Sequence, residues 1–542
     1  MNQQCGMTVL IPAIKKEARF QDDLVKKIAG VNPIQRTLNK AKELGLPPES
    51  IFLFTDSEEI RLIGERNNIS VLFDPTLSWE STRVEISLRT ISAKLTQDSD
   101  YVLILSPYAL LLDVNTLGTA LDEARRLEID ALKPVREERG EIVKPGNSRI
   151  VSKSLTSRQE KFLVVSNAFC LIRLKRLREP EELPWDVCYW PVDENSLEIQ
   201  SLRDWWVCEK LLQRRRIVFR VIGNPQVGMG HIFRALSIAH ELTDHELLFV
   251  SDHHNQVAVN ELAGYDYWLG IYDRSEITQK IIDLQPDLVI NDILDTDLRY
   301  IETLRNAGIA VVNFEDFGGG AKIANLTINE LFDAPQFDGS NVRWGHEYFF
   351  TRDEFDAAKP NDFRESVTDV LLAFGGTDQH NLSWTIYNAI RDFCSESGIF
   401  IHVVVGPGYE KFDDLIAKVG PAKNVFITHA SGVISSIMER VQLAITSNGR
   451  TVYELAQMNV PGIVISQHLR EESHLFACPA NGFIPLAIGS EVELQENALE
   501  AFEGLVRNQE VRHGLFINAS RFDFNPNKKK VVSEILQVLE KS

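Results

Sequence analysis

The strongest constraint in this chain is a rhythm. Short apolar runs rich in β-branched residues alternate with segments of helical period almost throughout. "MTVLIPAI" leads to helix-like "PIQRTLNKAKEL", and "SIFLFTD" to a helix at 57–67, followed by "ISVLF". Helix-like "TRVEISLRTISAKL", strand-like "DYVLILS" and helix-like "VNTLGTALDEARRL" continue the pattern, and "SLRDWWVCEKLLQRRR" closes it. The rhythm restarts with "IVFRVIG" at 217 and again with "VTDVLLAFGG" at 367. Alternation of this kind predicts an α/β protein of mainly parallel sheets with helices on both faces. The expected division is 1–215, 216–366 and 367–542, since 542 residues are too many for one ordinary core.

Composition narrows the class. Fifty-seven basic against 77 acidic side chains give a formal net charge of −20. A surface of that sign repels nucleic acid and anionic membrane, so neither is an expected partner. An anionic small ligand needs a local cluster of N–H groups or basic residues. The six cysteines form no CxxC pair, which predicts neither a disulfide framework nor a zinc site and fits a reducing cytoplasm. The first residues lack the pattern of a signal peptide, and no apolar run approaches the roughly 18 to 20 residues of a membrane span. The expected location is the cytoplasm.

Three turns carry the chemistry. In "VIGNPQVGMGHIFRALSIAHEL" (221–242), Gly228 and Gly230 lie between a strand and an amphipathic helix, with His231 at its mouth. Glycine there tolerates positive φ and lets another group approach the backbone, while a helix N-terminus suits an anion. In "LLAFGGTDQHNLS" (371–383), a strand runs into Gly375-Gly376-Thr377-Asp378. In "LAITSNGRTVYELAQMNVPGIVIS" (443–466), Asn448, Gly449, Arg450 and Thr451 open a helix, with Glu454 one turn in. Each turn alone has a structural alternative. His231 can be a polar helix-start residue, Thr377 or Asp378 an N-cap, and Thr451 with Glu454 a capping box. Three such turns after strands are better explained by two facing nucleotide-type subdomains, whose ligands sit at the carboxyl ends of parallel strands.

Together these motifs resemble the two-subdomain glycosyltransferase-B architecture over about 217–542. The stretch is similar to the UDP-sugar hydrolases of the pseudaminic acid pathway, which are related to the lipid II-forming N-acetylglucosaminyltransferase. The resemblance implies that His231 activates water at an anomeric carbon. It also implies that the turns at 375–378 and 448–454 hold UDP, with Arg450 free to pair with diphosphate and Glu454 to accept from ribose hydroxyls. Neutral imidazole suits that base role at cytoplasmic pH. Asp316 in "NFED" and Asn329 in "INE" end strands at the same edge and are candidate sugar contacts, or simply turn formers. No cofactor is expected for this part.

"VLIPAIKKEARFQDDLVKKIAGVNPIQRTLNKA" resembles the opening of sugar-acid cytidylyltransferases of the CMP-sialic acid synthetase type, over about 1–213. That implies a nucleotidyltransferase-like Rossmann-type domain handling CTP and a sugar acid with Mg²⁺. The motifs depart from the family. Its Arg-Gly-Gly-Ser turn reads Ile14-Lys15-Lys16-Glu17, its Lys-Asn pair reads Asp23-Leu24, and its metal-binding Asp-x-Asp reads Glu198-Ile199-Gln200. One carboxylate of two remains, Glu198, as candidate Mg²⁺ ligand. Lys15, Lys16, Arg19, Lys26 and Lys27 are the candidate phosphate contacts. The domain is either a nucleotidyltransferase or a retained scaffold. For the whole chain the expectation is an enzyme of nucleotide-sugar metabolism, for nonulosonic acids or surface glycans, that hydrolyses a UDP-linked amino sugar. A glycosyltransferase and a non-catalytic nucleotide-sugar-binding scaffold are the alternatives, and an oligomer is compatible with each.

Overall fold

The computed structural model describes residues 7–76, 100–140, 160–177, 184–193, 196–429, 432 and 434–541. The helix expected in "TRVEISLRTISAKL" lies outside them. The chain forms two compact units, Met1–Arg214 and Arg215–Ser542.

In the first unit, β1 (Met7–Ala13), β2 (Ile51–Thr55), β3 (Ser70–Phe73) and β4 (Tyr101–Leu105) lie parallel in the order 3-2-1-4. The sheet extends through β7 (Phe169–Arg173), β5 (Ala131–Gly140) and β6 (Glu160–Val165), which are antiparallel to their neighbours, and β8 (Val187–Pro191) pairs with β5. Three of its helices are capped by side chains. Asn32, Asp113 and Ser201 each accept a backbone N–H of the helix they open.

The second unit holds two parallel sheets. One contains β9 (Arg216–Val221), β10 (Glu246–Asp252), β11 (Trp268–Tyr272), β12 (Leu288–Asp292), β13 (Ala310–Phe314), β14 (Leu326–Asn329) and β15 (Val342–Trp344). Its order is 11-10-9-12-13-14-15. The other contains β16 (Asp369–Ala373), β17 (Phe400–Val405), β18 (Val425–His429), β19 (Leu443–Ser447), β20 (Gly462–Ile465) and β21 (Phe483–Leu486), in the order 18-17-16-19-20-21. Counted from its own first strand, one sheet runs 3-2-1-4-5-6-7 and the other 3-2-1-4-5-6, both in the doubly wound order whose direction reverses between strands 1 and 4. β12 and β13 are buried along their whole length, as strands covered on both faces must be. This is an α/β chain: a unit built on one mixed sheet, then two Rossmann-like halves with parallel sheets.

One expected boundary changes. The sequence rhythm assigns 367–542 to the second half, yet Val531, Val532, Ile535 and Leu539 of the Asn525–Lys541 helix join the core of the first half, with Ile217, Phe219 and Ile232. The apolar stripe of a helix says that it must be covered, not by which sheet. Among the described residues no helix is long and apolar enough to cross a membrane.

Candidate functional site

Both switch points of the second unit open onto one cleft of about 420 Å³. The turn after β9, the turn after β16 and the start of the helix after β19 all line it. Gly228 has φ +74°, a conformation that L side chains rarely adopt, so its glycine is required by the turn. A Cβ on Gly376 would lie 2.6 Å from Met229 Cγ, so the two turns meet closely enough to exclude a side chain there.

The two helices that start at the cleft are not closed by side chains. Gly230–Glu241 begins at Met229 and Arg450–Gln457 at Gly449, and neither receives a side-chain cap. The capping box read from Thr451 and Glu454 does not form, because the helix starts one residue before Thr451. These unpaired N–H groups and their partial positive charge suit an anion. By contrast, Asp378 accepts from Leu382 N at 2.7 Å and Ser383 N at 2.8 Å, closing the Leu382–Ser397 helix.

His231 is held from behind. Its Nδ1 lies 2.6 Å from Asp292 Oδ1, at the end of β12. An ionised carboxylate only accepts, so Nδ1 carries the proton and Nε2 remains as the ring's acceptor. Arg234 donates from Nε to Asp292 Oδ2 at 2.7 Å and from Nη2 to Asp292 Oδ1, and Nη1 reaches Glu315 Oε1 at 2.5 Å and Glu330 Oε1 at 2.9 Å. Burial opposes ionisation of Asp292 and Glu315, but the Arg234 charge outweighs it and holds both below the usual carboxylate range. Glu330 Oε1 is shared with Arg450, whose Nη2 also donates to Phe350 O at 2.7 Å. Two guanidiniums against three carboxylates leave one net negative charge beside the ring.

The opposite wall carries Gly375, Gly376, Thr377, Gly449, Arg450, Thr451 and Glu454, together with Arg470, Glu471 and His474. Glu454 is held by Arg352, Nε to Oε1 at 2.9 Å and Nη2 to Oε2 at 3.4 Å, so it enters the cleft as half of an ion pair. Burial pushes the Glu471 carboxyl up to about 7. His474 is 7% exposed and donates Nδ1–H to Asn448 O at 2.6 Å; burial pushes its pKa down, and its Nε2 has no partner.

The structure thus brings Gly228, Gly230, His231, Gly375, Gly376, Thr377, Gly449, Arg450, Thr451 and Glu454 to one cleft. Four candidates serve the backbone instead. Asp316 binds Thr296 N and Gly318 N, both at 2.8 Å, and Asn329 closes on Asp316 through both ends of its amide. Asp378 is the cap described above. Asn448 donates to Glu471 O at 2.8 Å and His474 O at 3.1 Å, pinning the loop beyond β20. The Arg450 side chain turns towards Glu330 and away from the helix start, where a diphosphate contact was expected. Asp292, Arg234, Glu315 and His474 were not singled out from sequence. The polar end of the apolar run "LVIND" marks Asp292, whereas nothing local marks the other three.

In the first unit, Glu198 is spent. Its Oε1 accepts from Arg19 Nη2 at 2.7 Å and Ser106 Oγ at 3.2 Å, and Oε2 accepts from Gln200 Nε2 at 3.1 Å. Among the described residues no group of three or more His, Cys, Asp or Glu could hold a metal ion. A lone carboxylate already neutralised by arginine does not fit a Mg²⁺ site.

No family model matches the chain. An uncharacterized protein of Methanocaldococcus jannaschii is 27% identical over 267 residues, covering 45% of this chain and 54% of that protein. The spore coat polysaccharide biosynthesis protein SpsG of Bacillus subtilis is 24% identical over 267 residues, 45% of this chain and 75% of its own length. The UDP-2,4-diacetamido-2,4,6-trideoxy-beta-L-altropyranose hydrolase of Campylobacter jejuni is 28% identical over 183 residues, 32% of this chain and 64% of its own length. The chain spans about half the length of the first of these relatives. Among solved structures, Acinetobacter baumannii MurG covers 60% of this chain with 99% of its own, at 14% identity and TM-score 0.43. A CMP:2-keto-3-deoxy-manno-octonic acid synthetase complexed with CTP covers 38% of this chain with 98% of its own, at 12% identity and TM-score 0.30. The fold assignment rests on the strand order described above.

Proposed function

We propose that residues 215–542 hydrolyse a UDP-linked amino sugar at its anomeric carbon, in nucleotide-sugar metabolism for a surface polysaccharide. The observation that carries this reading is the locked ring of His231. Asp292 fixes its Nδ1 and leaves Nε2 as a base in a cleft whose far wall offers an uncapped helix start. His231 Nε2 takes a proton from water, the oxygen bonds to C1, and the bond from C1 to the phosphate oxygen breaks. UDP leaves as an anion onto the N–H groups at 449–451. Asp292 stabilises the imidazolium that forms, as in other base–carboxylate pairs. Resemblance to the Campylobacter jejuni hydrolase and the Bacillus subtilis polysaccharide protein supports the substrate class. We read the first unit as a retained scaffold, because Asp56 takes the Lys15 and Lys16 N–H groups, Glu59 the Lys15 ammonium and Glu198 the Arg19 guanidinium, all candidate phosphate contacts.

The test is incubation with UDP-linked amino sugars in ¹⁸O-water, followed by mass spectrometry. Free sugar labelled at C1 and UDP are expected without any acceptor, and His231→Ala should lower kcat by about 10²- to 10⁴-fold with UDP affinity retained. Turnover that waits for an added glycan or lipid would make the protein a glycosyltransferase. Undiminished turnover in His231→Ala would sink the assignment of the base.

A further inference from the structure

Arg450 is the first residue of the helix whose N-terminus faces the cleft, yet its side chain serves another purpose there. Its stem runs beside Gly230, where a Cβ would meet Arg450 Cδ at 3.2 Å. Its guanidinium lies over Phe349, 4.6 Å from the ring centroid, and bonds Glu330 and Phe350 O. Glu330 is wholly buried. It gives the same oxygen to Arg450 and Arg234, and its Oε2 has no partner. Arg234, also wholly buried, grips both oxygens of Asp292, which holds His231.

We propose that Arg450 is a positioning residue that links the nucleotide-binding helix to His231 through Glu330, Arg234 and Asp292. The proposal rests on His231 being the base. Buried ionic chains add little net stability, because desolvation offsets their attraction, so the use of this one lies in what it positions. Charges alternate along it, Arg450, Glu330, Arg234, Asp292, and each group has its partner on either side. A displacement of the helix start when UDP arrives moves Arg450, alters its share of Glu330 Oε1, and changes how firmly Arg234 holds Asp292. His231 is thereby set for a nucleotide-linked sugar and left less ordered for a free one. Burial, followed by repulsion from Arg234, pulls the Arg450 pKa down to about 10, against the opposing attraction of Glu454, Glu315 and Asp292.

The full-length protein tests this with Arg450→Met, Arg450→Lys and Glu330→Gln. Three quantities are read: UDP affinity by calorimetry, ¹⁵N chemical shifts of the His231 ring, and kcat and KM for a UDP-linked amino sugar. Arg450→Met and Glu330→Gln are expected to keep UDP affinity within about threefold, shift the His231 ring nitrogens, and lower kcat at least about tenfold with KM little changed. Arg450→Lys keeps the charge but cannot reach both Glu330 and Phe350 O, so an intermediate shift is expected. If Arg450→Met does not fold, the lysine and glutamine variants decide. Ring signals identical to wild type in the folded variants would overturn the proposal. Loss of UDP affinity with those signals unmoved would make Arg450 a diphosphate ligand instead. The ring signals and UDP binding need no turnover, so a wild type that releases no sugar would defeat the hydrolase reading while leaving this coupling to be judged by the spectra.

Discussion

Residues 14–19 after β1 and residues 228–231 after β9 occupy equivalent places, each following the first strand of its sheet. Their fates differ. In the first unit Lys15 N donates to Asp56 Oδ1 at 2.6 Å and Lys16 N to Asp56 Oδ2 at 3.2 Å. Lys15 Nζ reaches Glu59 at 3.0 Å and Asp22 at 3.4 Å, and Arg19 pairs with Glu198. The donors that would cradle an anion already hold one supplied by the chain. In the second unit the helix start after Gly228 takes no side-chain cap and lines a cleft. The backbone N–H groups of such a turn stay open to an anion only where no nearby carboxylate has reached them first. Glycine content helps because glycine brings no side chain, but the neighbouring strand-end acid decides.

The comparison breaks most visibly at Asp292. Asp292→Asn keeps the shape behind His231 but lets an amide replace the carboxylate, so Nδ1 loses its fixed proton. A fall in kcat of about 10²- to 10⁴-fold is expected, about 3–5 kcal/mol of barrier, with UDP affinity retained. An unchanged rate would show that the open turn is not catalytic.

Glu471 sharpens the contrast as the acid on the open side. Burial raises its folded pKa to about 7, above the ordinary range of a glutamate carboxyl, so the folded state binds the proton more tightly. Its contribution to stability is fully present below the unfolded pKa and is lost as pH rises through about 7. Relative to Glu471→Gln, wild type should lose up to about 3 kcal/mol between acid and mildly alkaline pH, one pKa unit being about 1.4 kcal/mol. Denaturant unfolding at pH 5 and pH 8 measures the loss. UDP affinity should fall over the same range in wild type and stay flatter in the variant, because the new anion faces a diphosphate. Parallel curves would place the titrating group elsewhere.

The smallest effect is expected on the closed side. Asp56→Ala frees the N–H groups of Lys15 and Lys16, at a cost of about 1–2 kcal/mol for two lost hydrogen bonds. Calorimetry with inorganic phosphate and CTP should detect weak binding in the variant and none in wild type. Tight CTP binding by wild type would refute the scaffold reading.

Much of this was legible in the sequence because it is local. The runs that became β9, β10, β12–β14 and β16–β20 carry their own burial pattern, and the turns that join them carry glycine. β11, β15 and β21 are not legible: β15 has only three residues, Trp268 of β11 stays 46% exposed, and Pro485 of β21 points to solvent, so their apolar signal is diluted. His231 was legible through its glycines. Glu315 and Glu330 were not, since their meeting with Arg234 spans 81 and 96 residues and no periodicity encodes it. Asp316 and Asn329 stay open between sugar contact and turn former in the sequence for a related reason. A polar residue at a strand end looks alike from sequence whether it faces a ligand or its own backbone, and here both close a turn.

The Asn525–Lys541 helix has a consequence in time. During synthesis, strands β9 to β15 emerge roughly two hundred residues before the segment that completes their core, at translation rates of about 5–20 residues per second. For those seconds, Ile217, Phe219 and Ile232 lack the cover that Val531 and Ile535 later provide. The half that bears His231 would thus be finished only after its partner half has been made, and the His231 ring would come to rest late in the protein's own assembly.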